Sequence, residues 1–153
     1  MIKVHTIIAS VFGIGLVGKG GGTLAAMAYC IIWFLLPANY YQSNRQVLIT
    51  LFIILIGIWS SNVMDSLWGK DSSKVVIDEV AGMAIALLYV PQTIVYLLVG
   101  LIAFRFFDIV KPLGIKKLEI LPKGWGVMAD DVLAGIYALV IVQTWILIVN
   151  NFT

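Results

Sequence analysis

Four long stretches of this chain carry no charged side chain: Gly20–Asn44, Gln46–Met64, Val80–Phe104 and Val132–Thr153, of 25, 19, 25 and 22 residues. Each is long enough to cross a bilayer core as a helix. The composition agrees, since 61% of the 153 residues are hydrophobic and 12% are charged. A soluble domain carries about twice that share of charge. A fold of this size cannot hide so much apolar surface from water. Strict two-residue alternation is missing, which argues against a membrane barrel. Backbone satisfaction in lipid then leaves helices. The expected fold is all-α, a polytopic helical membrane bundle forming one domain over residues 1–153. No internal repeat breaks the chain, and the start is read as having no removable signal peptide. The lone cysteine, Cys30, allows no disulfide within the chain.

The charges are as informative as the gaps. Fifteen of eighteen fall in two windows, Asp65–Glu79 and Arg105–Asp131. Four simple crossings would put these windows on opposite sides of the membrane. Pro91, near the middle of the third stretch, removes a backbone donor and disfavours helix just before it. The spacing predicts a hairpin instead: Lys74–Tyr89, a turn at Pro91, then Gln92–Val110. The first arm is expected to be capped by Ser72 or Ser73. Asp78 lies 13 residues before Pro91 and Arg105 lies 14 after it, so both sit about 20 Å from the turn by helical rise. The other expected segments are a short first helix at His5–Val17, then Thr23–Pro37, a turn over residues 38–46, Val47–Met64 and Asp130–Val149. That makes five to six helices, with both charged windows at one membrane face. Most lysines lie there, so that face is expected to be cytoplasmic.

Ionisable groups at this depth are costly and mark function by default. Asp78-Glu79 and Asp130-Asp131 are adjacent acidic pairs, and Asp108 adds a fifth carboxylate. Five carboxylates cannot all stay ionised together without cations. A carboxylate cluster lacking histidine or thiolate suits Mg²⁺ or Mn²⁺. Asp78, Glu79, Asp130 and Asp131 are the expected metal ligands, with Asp108 as a further ligand or base. For Asp130 and Asp131 the competing reading is a helix N-terminus favouring acids. Gly82 and Gly135 each follow a carboxylate by four residues, and small residues there permit close helix approach.

Arg105, Asp108 and Lys111 are spaced three apart on one side of a helix end. Arg105 and Lys111 are expected to bind phosphate, Arg105 by its bidentate fork. The alternative is an Arg105–Asp108 pair that locks helices. Lys116, Lys117 and Lys123 read as a surface for anionic headgroups. The glycine-rich run Phe12–Thr23 precedes a helix, so Lys19, Thr23 and free backbone amides are candidate phosphate binders. It lacks the Gly-Lys-Ser/Thr order of a P-loop, and a helix–helix contact through Gly18 and Gly22 is the alternative. Three phosphatase chemistries drop out. His5 is the only histidine, Leu36 stands where a cysteine phosphatase needs arginine, and Asp108 is not followed by a second acid two residues on.

Read together, four segments resemble the phosphatidylglycerophosphatase A family. They are Phe-Gly-x-Gly-Leu with a following Gly-Thr at Phe12–Thr23, Asp78-Glu79-Val80-Ala81-Gly82-Met83, Phe104–Pro112 and Gly126–Gly135. Gly18 and Gly21 stand where that family commonly has prolines. The resemblance implies a Mg²⁺-dependent enzyme of the bacterial inner membrane that hydrolyses phosphatidylglycerol phosphate. No nucleic acid or obligate protein partner is expected. Other function classes are an ion or proton transporter, which would spread its acids across the membrane, and a structural subunit held by charged pairs.

Overall fold

The structure, a computed structural model, describes residues 2–37, 44–70 and 72–152, the side chains of 119 and 152 excepted. The described residues contain six α-helices and no strand: α1 (Ile2–Ala9), α2 (Gly21–Leu35), α3 (Asn44–Trp68), α4 (Ile77–Ala86), α5 (Ile94–Val110) and α6 (Gly124–Phe152). Short 3-10 turns occupy Ile14–Val17 and Ile115–Ile120. Most of the turn expected over residues 38–46 lies outside the described residues.

Helix α4 is the centre. Every residue from Ile77 to Ala86 is buried except Glu79. Small residues at Ala81, Gly82, Ala84 and Ala86 let neighbours close in from all sides. It packs most extensively on α6, with α2 and α3 against other faces. A Cβ on Gly135 would run into the Gly82 carbonyl, and one on Gly82 would meet the Asp131 carbonyl oxygen at 2.7 Å and the Phe104 ring. Small residues allow this approach of helix backbones, and the expected contact at Gly82 and Gly135 is present.

Contact order along the helices gives their directions. Gly82 faces Asp131 while the Leu88 carbonyl accepts from Gln143 Nε2 at 3.0 Å, so α4 and α6 run parallel. Gly82 faces Phe104 while Leu87 and Met83 face Gly100, so α5 runs antiparallel to α4. The reversal between α4 and α5 falls around Pro91, as expected.

Element ends differ from expectation where tertiary partners intervene. The first helix stops at Ala9 rather than Val17. Ser10 Oγ donates to the Thr6 carbonyl and accepts from Gly13 N–H, taking the place of backbone partners. The arm expected from Lys74 begins at Ile77. Val76 N–H instead donates to the Ala9 carbonyl, and the Lys74 backbone presses against Gly15. Ser72 Oγ reaches only the Lys74 N–H, at 3.5 Å, and does not cap α4. At the other end, Gln46 donates to the Leu87 carbonyl and accepts from Tyr89 N–H, satisfying backbone groups that the helix leaves open. Helix α4 is thus ten residues, about 15 Å long, and too short to span a bilayer.

Helices α3 and α6 are long and apolar enough to cross a membrane. The outward faces of the bundle expose many large apolar side chains, among them Phe34, Phe52, Leu98, Ile102, Val140 and Leu147. Apolar surface this extensive belongs against lipid rather than water. The two long apolar helices and this surface suggest a membrane protein.

Candidate active site

The parallel run of α4 and α6 puts their acidic pairs at the same level, and antiparallel α5 brings Arg105 and Asp108 to meet them. One carboxylate oxygen from each of Asp78, Glu79 and Asp131 lies within 4.8 Å of the other two. Asp78 and Asp131 are 7% and 3% exposed. Asp108 abuts Asp131. Like charges so close and so dry repel strongly. Glu79 Oε2 and Asp131 Oδ2 are buried and have no hydrogen-bond partner among the described residues. Burying an anionic oxygen unpaired is expensive, and a cation among these three side chains would remove that cost. The donor set is all carboxylate, which fits a hard, oxygen-seeking ion such as Mg²⁺.

The fourth expected ligand stands apart. Asp130 Oδ2 is bound by Lys111 Nζ at 2.5 Å, and Asp130 does not belong to the close trio. Helix α6 begins at Gly124, six residues earlier than expected, so Asp130 and Asp131 lie well inside it. A preference for acids at a helix N-terminus does not explain them. That preference does apply to Asp78 and Glu79, in the first turn of α4.

Arg105 Nη1 donates to Asp108 Oδ2 at 2.7 Å and lies 3.9 Å from Glu79 Oε1. Its Nε is buried and has no hydrogen-bond partner among the described residues. Lys111 ends α5 in a left-handed conformation, with φ of 48°. Its side chain reaches back to α6 from there.

The glycine-rich run is a 3-10 turn at Ile14–Val17, a tight loop at 18–20 and the first turn of α2 from Gly21. Gly18 and Gly20 have φ of 91° and 92°, a region where side chains are strained. The alternative reading of a helix contact through Gly18 and Gly22 therefore fails. Gly22 lies on the Glu79 carboxylate, which would collide with any Cβ there. The first turn of α2, which follows the loop, thus borders the carboxylate trio through Gly22. Among the described residues, half-buried Thr23 has no hydrogen bond to its hydroxyl and exposed Lys19 has no ion pair.

Two hollows flank the site. Arg105 borders an apolar one of about 400 Å³ with Leu101, Ile102 and Phe106. Asp130 borders a basic one of about 640 Å³, lined by Lys70, Lys116 and Lys123. Lys117 does not line it. Lys70 was not singled out by sequence, although it stands in the first charged window.

The sequence matches the family model for phosphatidylglycerophosphatase A over residues 7–146. A Haemophilus influenzae protein described as phosphatidylglycerophosphatase A is 33% identical over 147 residues, covering 92% of this chain and 90% of that one. A Bacteroides thetaiotaomicron protein with the provisional description phosphatidylinositol-3-phosphatase is 42% identical over 135 residues, covering 85% of this chain and 84% of that one. No solved structure matches the chain.

Proposed function

The chain belongs to the phosphatidylglycerophosphatase A family and is a lipid phosphatase, and we propose that it removes the terminal phosphate of phosphatidylglycerol phosphate in a Mg²⁺-dependent reaction. The observation that carries this reading is the carboxylate trio with two orphaned oxygens beside an arginine with a free Nε. Asp78, Glu79 and Asp131 would hold Mg²⁺, which when bound polarises a phosphoryl oxygen and acidifies water. Arg105 Nε would donate to an equatorial phosphoryl oxygen while Nη1 stays on Asp108. Lys111, held at Asp130, would add positive charge at the same level. Both groups then meet charge that grows in the transition state. Asp108 would take a proton from the attacking water as the new P–O bond forms. The P–O bond to the lipid glycerol breaks, and the Asp108 proton returns to the departing oxygen. Water and phosphatidylglycerol phosphate thereby become phosphatidylglycerol and inorganic phosphate.

A gathered cluster argues against transport, for which acids would be strung along a path through the bundle. The proposed setting is the bacterial inner membrane. Helices α3 and α6 cross it, the α4–α5 hairpin enters it, and the site opens at the lysine-rich cytoplasmic end. In cells with Cys30 replaced by Ser, an impermeant thiol reagent added outside should label Asn44→Cys and spare Lys117→Cys. The reverse pattern would invert the orientation.

The decisive assay uses the purified chain in neutral detergent. Phosphate release from phosphatidylglycerol phosphate should require Mg²⁺ and should exceed release from phosphatidylinositol 3-phosphate. Faster turnover of the inositol lipid would transfer the assignment to that substrate. Turnover undiminished by a chelator would remove the metal.

A further inference from the structure

We propose that the hollow lined by Lys70, Lys116 and Lys123 is a second phosphate-binding subsite on the water side of the carboxylate trio. Its walls come from two separate parts of the chain: Lys70 from the segment after α3, and Lys116 and Lys123 from the segment between α5 and α6. None of the three lysines has an ion pair among the described residues. Among the described residues the lining contains one carboxylate, Asp130, and Lys111 already counters it at 2.5 Å. Among the described residues, the hollow therefore gathers three lysines with no acidic partner.

Unpaired lysines on open surface are ordinary, because water solvates each ammonium. Convergence on one concavity is different. Ile120, Leu121 and Val127 form part of the wall, and low-dielectric walls around like charges focus the field inward. The volume, about 640 Å³, lies within the usual range for a small-ligand site. Ammonium groups are compact point charges without a planar fork. Three of them around a hollow suit a tetrahedral polyanion approached from several sides.

Position supplies the link to phosphate. Asp130 lines the hollow and its neighbour Asp131 belongs to the trio, so the two spaces meet across one residue of α6. An anion in the hollow would occupy ground distinct from the trio, which repels anions without a cation. Two sources share this chemistry: inorganic phosphate in water, and the phosphodiester of a lipid headgroup. The subsite stands on the geometry of the hollow and not on the catalytic reading.

The test measures binding without turnover. The full chain in neutral-detergent micelles, free of divalent metal, is titrated calorimetrically with inorganic phosphate in one arm and phosphatidylglycerol in the other. Wild type should bind in at least one arm. Lys116→Gln/Lys123→Gln should weaken that binding at least tenfold, and Lys3→Gln should not. Loss confined to the first arm identifies free phosphate as the occupant. Loss confined to the second identifies the headgroup diester, and loss in both identifies a subsite for either. All three lysines are exposed, so the substitutions leave no buried gap; Lys70→Gln alone should reproduce part of the loss if the double variant proves unstable. Absence of binding in both arms, or equal affinity in wild type and variants, overturns the proposal. A chain that binds here yet fails to hydrolyse phosphatidylglycerol phosphate would leave the subsite standing and sink the catalytic reading alone.

Discussion

On α4 both members of an adjacent acid pair reach one point, whereas on α6 only one does. Asp78 and Glu79 both contribute an oxygen to the trio, while Asp131 joins it and Asp130 turns to Lys111. Successive side chains on a helix point about 100° apart, from 3.6 residues per turn. Two short aspartates at neighbouring positions cannot easily converge. Glu79 has an extra methylene to bring its carboxylate round to Asp78, and Gly22 leaves the room for it. Asp130 has no such reach. Its carboxylate instead fastens Lys111, the residue that ends α5, to α6. The α4 pair is given wholly to the carboxylate trio, and the α6 pair is divided between that trio and a tie across helices.

The largest effect should come from the trio. Asp131→Asn and Asp78→Asn keep shape and remove an anionic oxygen. Phosphate release should fall at least about 100-fold, beyond the usual loss for groups that only support metal ligands. Stability should move the other way when metal is absent, because each substitution relieves repulsion among buried carboxylates. Thermal unfolding in detergent should show wild type rising with added Mg²⁺, through preferential binding to the folded state. The variants should respond weakly. Near-normal turnover in both variants would end the carboxylate-site reading.

Arg105 comes next, since it lies beside Glu79 of the α4 pair and holds Asp108, which abuts Asp131 of the α6 pair. Arg105→Lys keeps the charge but loses the separate Nε donor. If Nε meets phosphate in the transition state, kcat and kcat/KM should drop together, by about 10- to 100-fold, with little change in unfolding temperature. If the side chain only locks Asp108 in place, lysine should preserve kcat. Arg105→Ala should then destabilise the bundle, and adding Asp108→Ala should recover part of the loss by removing the stranded charge.

Much of this arrangement is legible in residue order because it depends on local spacing. Pro91 marks the reversal, and the four-residue offset from acid to glycine marks where α4 and α6 touch. What escapes local reading is set by partners remote in sequence. The Ala9 carbonyl holds Val76 N–H and so delays the start of α4. Asn62 Oδ1 accepts from Gly124 N–H near the start of α6, while sequence placed that start at Asp130. Gln46, wholly buried, and Gln143 serve carbonyls at the end of α4. Polar residues inside charge-free stretches were the available sign of them. Lys70 joins Lys116 and Lys123 only through folding, so no spacing in the chain groups it with them.

The smallest expected effect tests the division of the α6 pair most sharply. Asp130→Asn leaves the trio intact and weakens the hold on Lys111. Activity should fall about tenfold or less, the lower end of losses for groups that orient an active component. Lys111→Gln should remove the cation itself and cost somewhat more. If Asp130 acts through Lys111, the double variant should be no worse than Lys111→Gln alone, because contacting residues do not contribute additively. Measured kcat for the four proteins, wild type included, closes the cycle. If Asp130 instead ligates metal alongside Asp131, its loss should match that of Asp131→Asn, and the Mg²⁺ concentration giving half-maximal activity should rise for Asp130→Asn but not for Lys111→Gln. A shared rise in that concentration, with additive losses, would make the two α6 acids equivalent and abolish the distinction between them.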